Sequence, residues 1–470
     1  MNSLKFGTSG LRGLAVELAG DAARRYTTAF LHYLAAAGEP ARELHLGRDL
    51  RASSAGIARD CAAAAAAMGL RVVDCGEVPT PALALHAMAA DAPSIMITGS
   101  HIPANRNGLK FFRATREISK ADEAGILAHL APAVSGDAVA EVADAHAAAA
   151  ASYIARYAGV LAPDALKGRR IGVYEHSTVG SAALVAVFAG FGAEIVRLGR
   201  VEGFVAVDTE AFADAVFAPL AGWIDAHALD AIISADGDAD RPLLMDEQGQ
   251  FVRGDVQGLL AAQFFGADSV VTPVTSNTAI EATGYFPSVV RTRVGSPFVI
   301  EGMDAALAAG ARRVIGFEAN GGTLLGSALT VGDARLAALM TRDAILPLLG
   351  VFGQAARERC AISALVGRLQ LRVALSDRLE NIAASRSHAL LDRLARPEPA
   401  AAYFAAQGKI VRTASIDGLQ VFLDSGTMIH YRASGNAPEL RCYVEADTAG
   451  QAASALRWGL DAARAATAHD

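Results

Sequence analysis

Ile95-Met-Ile-Thr-Gly-Ser100-His-Ile-Pro-Ala-Asn-Arg-Asn107-Gly-Leu-Lys110 decides how the rest of the chain is read. The apolar run over 94–97 predicts a buried strand, which breaks into small and polar residues at Thr98-Gly99-Ser100. Pro103 and Gly108 hold a tight loop before Leu109-Lys110-Phe111-Phe112 restarts an extended run. A hydroxyl at the carboxyl end of a buried strand, beside His101 and within reach of Lys110, has the surroundings of an activated nucleophile. A turn-capping serine fits the same residues, and the loop alone does not separate the two readings.

On the amino-terminal side lies Phe6-Gly-Thr-Ser-Gly-Leu-Arg12-Gly13. Its glycine spacing is G-x-x-G-x-x-G, not the dinucleotide pattern, and Arg12 offers a planar fork suited to phosphate. A helix is expected over 19–37 and a strand over 43–46. Gly47-Arg-Asp49-Leu-Arg51-Ala-Ser53-Ser54 then opens an alanine-rich helix to Met68, with Asp49 and Ser53 expected as caps. A strand over 70–73 and a helix from Pro79-Thr-Pro81 complete an α/β alternation whose strand-end loops carry the chemistry.

On the carboxyl side the alanine-rich 138–151 segment predicts a connecting helix. A second alternation follows: a strand within 167–174, a loop over 175–178 with Ser177 as a helix cap, a helix to Gly190 and a strand over 194–198. It ends in Ala231-Ile-Ile-Ser-Ala-Asp236-Gly-Asp238-Ala-Asp240-Arg241-Pro. Carboxylates at i, i+2 and i+4 behind a buried strand repel one another unless a cation lies between them, and an all-oxygen set this small suits Mg²⁺. A calcium EF-hand fails because Arg241 stands where the turn requires glycine and the flanks read as strands.

A third alternation comprises a helix over 255–265, a strand over 269–274, a helix from Asn277, a strand over 289–293 and a helix from Pro297. Thr292-Arg293-Val-Gly295 offers a ligand contact at a strand end. A strand over 313–315 delivers Gly316-Phe-Glu318-Ala-Asn320-Gly-Gly322, whose acceptor and mixed donor/acceptor suit a pair of sugar hydroxyls. A helix is expected over 333–349. Beyond Cys360 come one or two helices, a break at Pro397–Pro399, and a hairpin turning at 424–426. Arg432-Ala-Ser434-Gly435-Asn436 follows as a compact anion nest, then a strand over 440–445 and a helix over 448–466.

The 470 residues suggest three or four domains of about 100–150 residues each. A net charge of −7 with interspersed signs provides no basic field, so nucleic acid is not an expected partner. The four cysteines are scattered without Cys-x-x-Cys, which argues for a reducing compartment and against a structural metal. The longest uncharged run, 177–193, falls short of the ~20 residues of a membrane span, so a cytoplasmic protein with no membrane partner is expected.

Six of these loops, in this order, resemble the α-D-phosphohexomutase superfamily over the whole chain. The resemblance implies an α/β fold of four domains around a central cleft, three similar α/β domains with mixed sheets and a smaller C-terminal α+β domain. The corresponding spans are 1–147 (phosphoserine loop), 148–250 (metal loop), 251–362 (sugar loop) and 363–470 (phosphate loop). It implies that Ser100 carries a phosphoryl group and that Asp236, Asp238 and Asp240 hold Mg²⁺ with a phosphoserine oxygen. Lys110, Arg12 and Arg241 would surround the transfer site, with Lys110 or His101 moving the proton. Arg293, Gly295, Glu318, Asn320, Arg432, Ser434, Gly435, Asn436 and Arg441 would bind substrate. The implied activity interconverts mannose 1-phosphate and mannose 6-phosphate through a hexose 1,6-bisphosphate. Glucose-specific or dual-specificity mutase, glucosamine-phosphate mutase and serine-dependent sugar phosphatase are the alternatives. Ile102 where the family usually has Asn, no His in the sugar loop, and Asn436-Ala437 in the last loop bear on sugar preference. No oligomeric state is implied.

Overall fold

Ser94–Ile97 is a strand with every residue buried, as an uninterrupted apolar run between layers requires. The computed structural model describes residues 3–131, 142–210, 212, 215–435 and 438–468. Around that strand lies a seven-stranded sheet in the order Lys5–Phe6, Leu11–Leu14, Arg106–Phe112, Ser94–Ile97, Glu43–Arg48, Arg71–Glu77, Val142–Asp144. The last four strands run parallel and the first three join antiparallel. Helices Asp21–Ala36 and Ser54–Ala67 share a buried cluster with this sheet through Phe30, Leu34, Ile57 and Cys61.

Two further sheets repeat the scheme. In one, Arg170–Tyr174, Glu194–Leu198 and Ala231–Ala235 are parallel, and Pro242–Asp246 returns antiparallel. In the other, Ser269–Pro273, Ser288–Thr292 and Val314–Phe317 are parallel, and Thr323–Leu325 and Leu339–Asp343 return antiparallel. Each unit therefore contains a parallel strand that turns directly into an antiparallel neighbour: Ile97 faces Leu109, Ala235 faces Pro242 and Phe317 faces Thr323. The serine, triple-aspartate and Glu318 loops are those three connections.

The fourth sheet is antiparallel throughout, in the order Val373–Glu380, Glu439–Ala446, Met428–Ala433, Leu419–Leu423, Ile410–Ala414. Helices Ala384–Leu394, Pro397–Phe404 and Ala449–Ala468 share its own core, which includes Leu390, Phe404, Tyr431 and Val444. The first three units are joined differently, by one continuous apolar cluster running through Val73, Phe112, Tyr153, Phe188, Leu259, Ile315 and Leu346. Hydrogen bonds link the fourth unit to the third. Gln420 Nε2 donates to Val274 O at 3.0 Å, Val294 N to Asp417 Oδ2 at 3.0 Å, and Thr278 N to Glu445 Oε1 at 3.0 Å.

Several sequence expectations give way here. The 333–349 helix is instead a ribbon (Leu329–Val331 with Ala334–Leu336), the strand Leu339–Asp343, and only then the helix Ile345–Glu358. Gly332, at φ 55°, makes the ribbon's turn. The helix from Asn277 shrinks to a 3₁₀ turn, Glu281–Thr283, closed by Gly284 in the left-handed region. The 138–151 helix is a parallel edge strand, Val142–Asp144, followed by the helix His146–Ala155; residues 138–141 lie outside those described. Pro397 opens a helix instead of breaking one, because a first-turn proline sacrifices no intrahelical N–H bond. Ser177 caps nothing: its hydroxyl exchanges hydrogen bonds with the backbone of Val205. No helix among the described residues is long and apolar enough to cross a membrane.

Candidate active site

Ser100 follows its strand in a left-handed backbone conformation, φ 53°, and is completely buried. Such a conformation costs a non-glycine residue about 1–3 kcal/mol and persists only where the surroundings impose it. Those surroundings are Asp49 and Arg51. Asp49 accepts from Thr98 Oγ1 at 2.7 Å, Ser54 Oγ at 2.6 Å and Gly99 N at 3.3 Å. Arg51, paired with Asp49 at 3.0 Å, sends its guanidinium to the carbonyls of Ser100, Ile102, Pro103 and Arg106 at 2.6–3.0 Å. It also stacks on the Phe204 ring, 3.9 Å from the centroid. Gly99 has no side chain because a Cβ there would lie 2.5 Å from the Arg51 guanidinium carbon. Asp49 thus organises the serine loop instead of capping a helix, and Ser53 accepts from Asn107 Nδ2 at 2.8 Å with no capping bond of its own.

The serine hydroxyl donates to Asp236 Oδ2 at 2.5 Å and lies 3.3 Å from His101 Nδ1. The aspartate loop comes this close because Gly237 has no side chain: a Cβ there would sit 3.0 Å from Ser100 O. Asp236, Asp238 and Asp240 show no exposure. Burial, with the charges of Asp238 and Asp240 beside it, pushes the Asp236 carboxyl up to about 8. Burial also opposes ionisation of Asp240, but Arg342, Lys110 and Arg241 outweigh it and hold that carboxyl well below the usual range. Lys110 Nζ bridges Asp238 Oδ2 at 2.6 Å and Asp240 Oδ2 at 2.5 Å, and Thr80 Oγ1 donates to Asp238 Oδ2.

Three carboxylates whose ligand oxygens all lie within 4.8 Å of one another make a cation pocket. Asp238 Oδ1 and Asp240 Oδ1 are buried without a hydrogen-bond partner, the second only 3.8 Å from Arg241 Nε. Orphaned carboxylate oxygens in an all-oxygen set fit a small hard divalent ion such as Mg²⁺.

Cations gather on the same point. Arg12 reaches in from its hairpin strand, donating to Gly99 O at 2.5 Å; burial, opposed by Asp238 and reinforced by Arg241 and Arg342, lowers its guanidinium to about 10. His101 is kept neutral by burial and by the charges of Arg241, Arg12 and Arg441.

Glu318 and Asn320 arrive on the third loop, both buried. Glu318 is bound by a residue that sequence reading missed. Arg342, fully buried, donates to Glu318 Oε2 at 2.8 Å, to Asp240 Oδ2 at 2.8 Å and to Ser9 Oγ at 3.3 Å, joining three loops. Asn320 accepts from Gly322 N at 2.9 Å through its side-chain oxygen. Arg293 stands apart: it is exposed, its guanidinium carbon 5.4 Å from the Phe298 ring centroid. Gly295 caps the helix Ser296–Ala308 and lies against Thr8, 3.4 Å from where its Cβ would be.

On the fourth sheet, register sets Arg432 opposite Arg441 and Arg441 opposite Arg378, so three arginines share one rung on the face away from the helices. Like charges directly opposite are destabilising unless anions compensate them. Asp417 lies 3.8 Å from Arg432, and Glu439 lies 3.4 Å from Arg441 and 3.5 Å from Arg378. Among the described residues, the Arg432 and Arg441 Nε atoms have no hydrogen-bond partner. Ser434 is half-buried, Gly435 is exposed, and Asn436 lies outside the described residues. Arg378 was missed because its strand is half-exposed and reads as a polar loop.

Known proteins agree with this architecture. Residues 3–134 match the family model for phosphoglucomutase/phosphomannomutase, alpha/beta/alpha domain I, and residues 253–366 match that for domain III. A phosphomannomutase of Sinorhizobium fredii is 48% identical over 97% of this chain and 98% of its own. One of Salmonella muenchen is 40% identical over 95% and 93%. The crystal structure of a phosphoglucomutase/phosphomannomutase family protein from Burkholderia thailandensis covers 98% of this chain and 97% of its own with a TM-score of 0.72; at 20% identity it speaks for the fold. The chain is a mutase of the phosphoglucomutase/phosphomannomutase family, within the α-D-phosphohexomutase superfamily.

Proposed function

We propose that the protein interconverts mannose 1-phosphate and mannose 6-phosphate through a phosphoserine at Ser100 and a hexose 1,6-bisphosphate. The observation that carries this is the 2.5 Å contact between Ser100 Oγ and Asp236, which sets a strained, buried hydroxyl on the rim of a carboxylate pocket. The names of the two phosphomannomutase relatives support the sugar.

In the proposed cycle, phosphorylated Ser100 gives its phosphoryl group to the free 6-hydroxyl of mannose 1-phosphate. The hydroxyl proton leaves to His101, the neutral base at 3.3 Å from the serine oxygen. The bisphosphate turns end for end, the 1-phosphoryl returns to Ser100 Oγ as its bond to O1 breaks, His101 gives its proton to that O1, and mannose 6-phosphate departs. Asp236, Asp238 and Asp240, with an oxygen of phosphorylated Ser100, would hold Mg²⁺, whose charge, when bound, neutralises the transferring group. Lys110 and Arg342 hold Asp238 and Asp240 in place, while Arg12 and Arg241 face the group in transfer. Glu318 and Asn320 bind sugar hydroxyls, and the Arg432, Arg441 and Arg378 rung takes the phosphate that is not reacting.

With Ser100 and the aspartates fully buried, substrate enters only if units separate. The fourth, with its own core and a hydrogen-bonded seam, is the one we assign to move, the units spanning 1–147, 148–250, 251–362 and 363–470.

Mannose 1-phosphate with Mg²⁺ and catalytic hexose 1,6-bisphosphate is expected to yield mannose 6-phosphate; release of free phosphate in its place overturns the reading. Asp238→Asn is expected to lower kcat on the order of 10²-fold with KM little changed, because it removes charge felt mainly in the transition state. Unchanged turnover at saturating Mg²⁺ counts against it. For Arg378→Ala the expectation is opposite in kind: KM up roughly two- to fivefold with kcat intact, as for one partly exposed charge contact. Steady-state kinetics that show a kcat loss, or no change, remove Arg378 from the phosphate site.

A further inference from the structure

On the parallel half of the first sheet, three residues from separate elements come together: His45 on strand Glu43–Arg48, Cys75 on strand Arg71–Glu77, and His86 on helix Thr80–Ala89. Each brings a ligand atom to within 4.8 Å of the others. The sheet arranges this. His45 pairs in register with Val73, so Cys75, two residues further on, points to the same face, where the helix lies over both strands.

Second observations point to a missing partner. His45 is 2% exposed, and its Nε2 lies 2.8 Å from Glu43 Oε1, while its Nδ1 has no hydrogen-bond partner among the described residues. Glu43 is itself steadied by Arg71 Nη1 at 3.2 Å. A carboxylate on one imidazole nitrogen fixes the tautomer that leaves a lone pair on the other, which is how metal-binding histidines are oriented. Ser94, the rung neighbour of His45 on the other side, also buries a hydroxyl with no partner. Two unpaired polar atoms on one rung of adjacent strands, on the same face as a free thiol, mark a place built for a group not yet named.

We propose that His45, Cys75 and His86 bind a thiophilic divalent cation, Zn²⁺ by ligand type, through His45 Nδ1, Cys75 Sγ and an imidazole nitrogen of His86. A fourth position stays open to water beside Ser94. Binding replaces the thiol proton: the S–H bond breaks, the S–metal bond forms, and one proton is released to solvent. Two imidazoles and a thiolate select a borderline-soft ion, whereas the all-oxygen aspartate pocket selects Mg²⁺, so the two sites take different ions from one solution. His86 is half-buried and provides the way in.

The test uses the full chain, stripped of metal, with excess Mg²⁺ to saturate the carboxylates and Co²⁺ as the probe. One equivalent is expected to give a thiolate-to-cobalt charge-transfer band and tetrahedral visible bands, both bleached by Zn²⁺. Glu43→Gln, which touches no ligand atom, is expected to weaken Co²⁺ binding about 10–100-fold. Cys75→Ala is expected to lose the charge-transfer band, and if it does not fold, the half-exposed His86→Gln gives the same reading through lost affinity. No band at one equivalent, or a band that survives Cys75→Ala, overturns the site and leaves an ordinary buried water as the partner of His45 and Ser94.

Discussion

Ser100→Ala is expected to reduce mutase turnover on the order of 10⁴-fold or more, because without the hydroxyl no covalent donor exists and the remaining groups only bind. The second half of this experiment concerns the backbone. At φ 53° a residue with a Cβ carries a conformational cost that glycine does not. Ser100→Gly is therefore expected to be as inactive as Ser100→Ala but more stable than it by about 1 kcal/mol, read by chemical denaturation. Intact mass after incubation with a hexose 1,6-bisphosphate is expected to show one added phosphoryl group on the native chain and none on either variant. Turnover retained in Ser100→Ala, or a phosphoryl group elsewhere on the chain, removes Ser100 from the centre of the mechanism.

The second large effect is expected from Arg342→Met. This arginine is fully buried and its guanidinium joins Asp240, Glu318 and Ser9, one residue from each of three units. Breaking a buried ion pair by removing one partner costs about 3–5 kcal/mol, since the carboxylates left behind remain desolvated. Activity is expected to fall with it, on the order of 10²-fold, because Asp240 loses its principal counter-charge and its place. Arg342→Lys is not a rescue: Arg342 reaches Asp240 through Nε and Nη2 and Glu318 through Nη1, a fork that a single ammonium nitrogen does not reproduce. Denaturation midpoint and kcat, measured on the same preparations, decide it; an unchanged midpoint would show the cluster to be energetically neutral.

The contrast between Ser100 and Arg342 marks how far the sequence could be read. Ser100, the aspartates and Glu318 stand in loops directly after apolar strands, where buried charge has no structural excuse, so their composition betrays them. Arg342 sits inside Leu339-Met-Thr-Arg-Asp343, a strand whose charges are neutralised by loops far away in sequence; locally the segment blends into the helix that follows. Arg51 was visible only as part of a motif, because its four carbonyl acceptors belong to the folded serine loop. Arg378 was hidden for the opposite reason, on an edge strand with no apolar alternation to announce it. Alternation of strands and helices sufficed for the three parallel units. It did not reveal the edge strands Val142–Asp144 and Ile410–Ala414, which bury too little to leave a pattern.

The proposed nucleophile, the aspartate trio and Glu318 each occupy the bend where a parallel strand doubles back on an antiparallel neighbour. A chain built this way distributes its chemistry over separately replaceable parts, since a bend can be rewritten while the ladder beneath it keeps its register. Recognition of a different hexose would then be reached by exchanging loop residues, 318–322 first among them, leaving phosphoryl transfer where it is. The corresponding vulnerability is alignment: the three bends meet only while the apolar seam among their sheets holds, so damage to Phe188 or Leu346, side chains of that seam and of none of the three bends, would act on catalysis by putting good parts out of true.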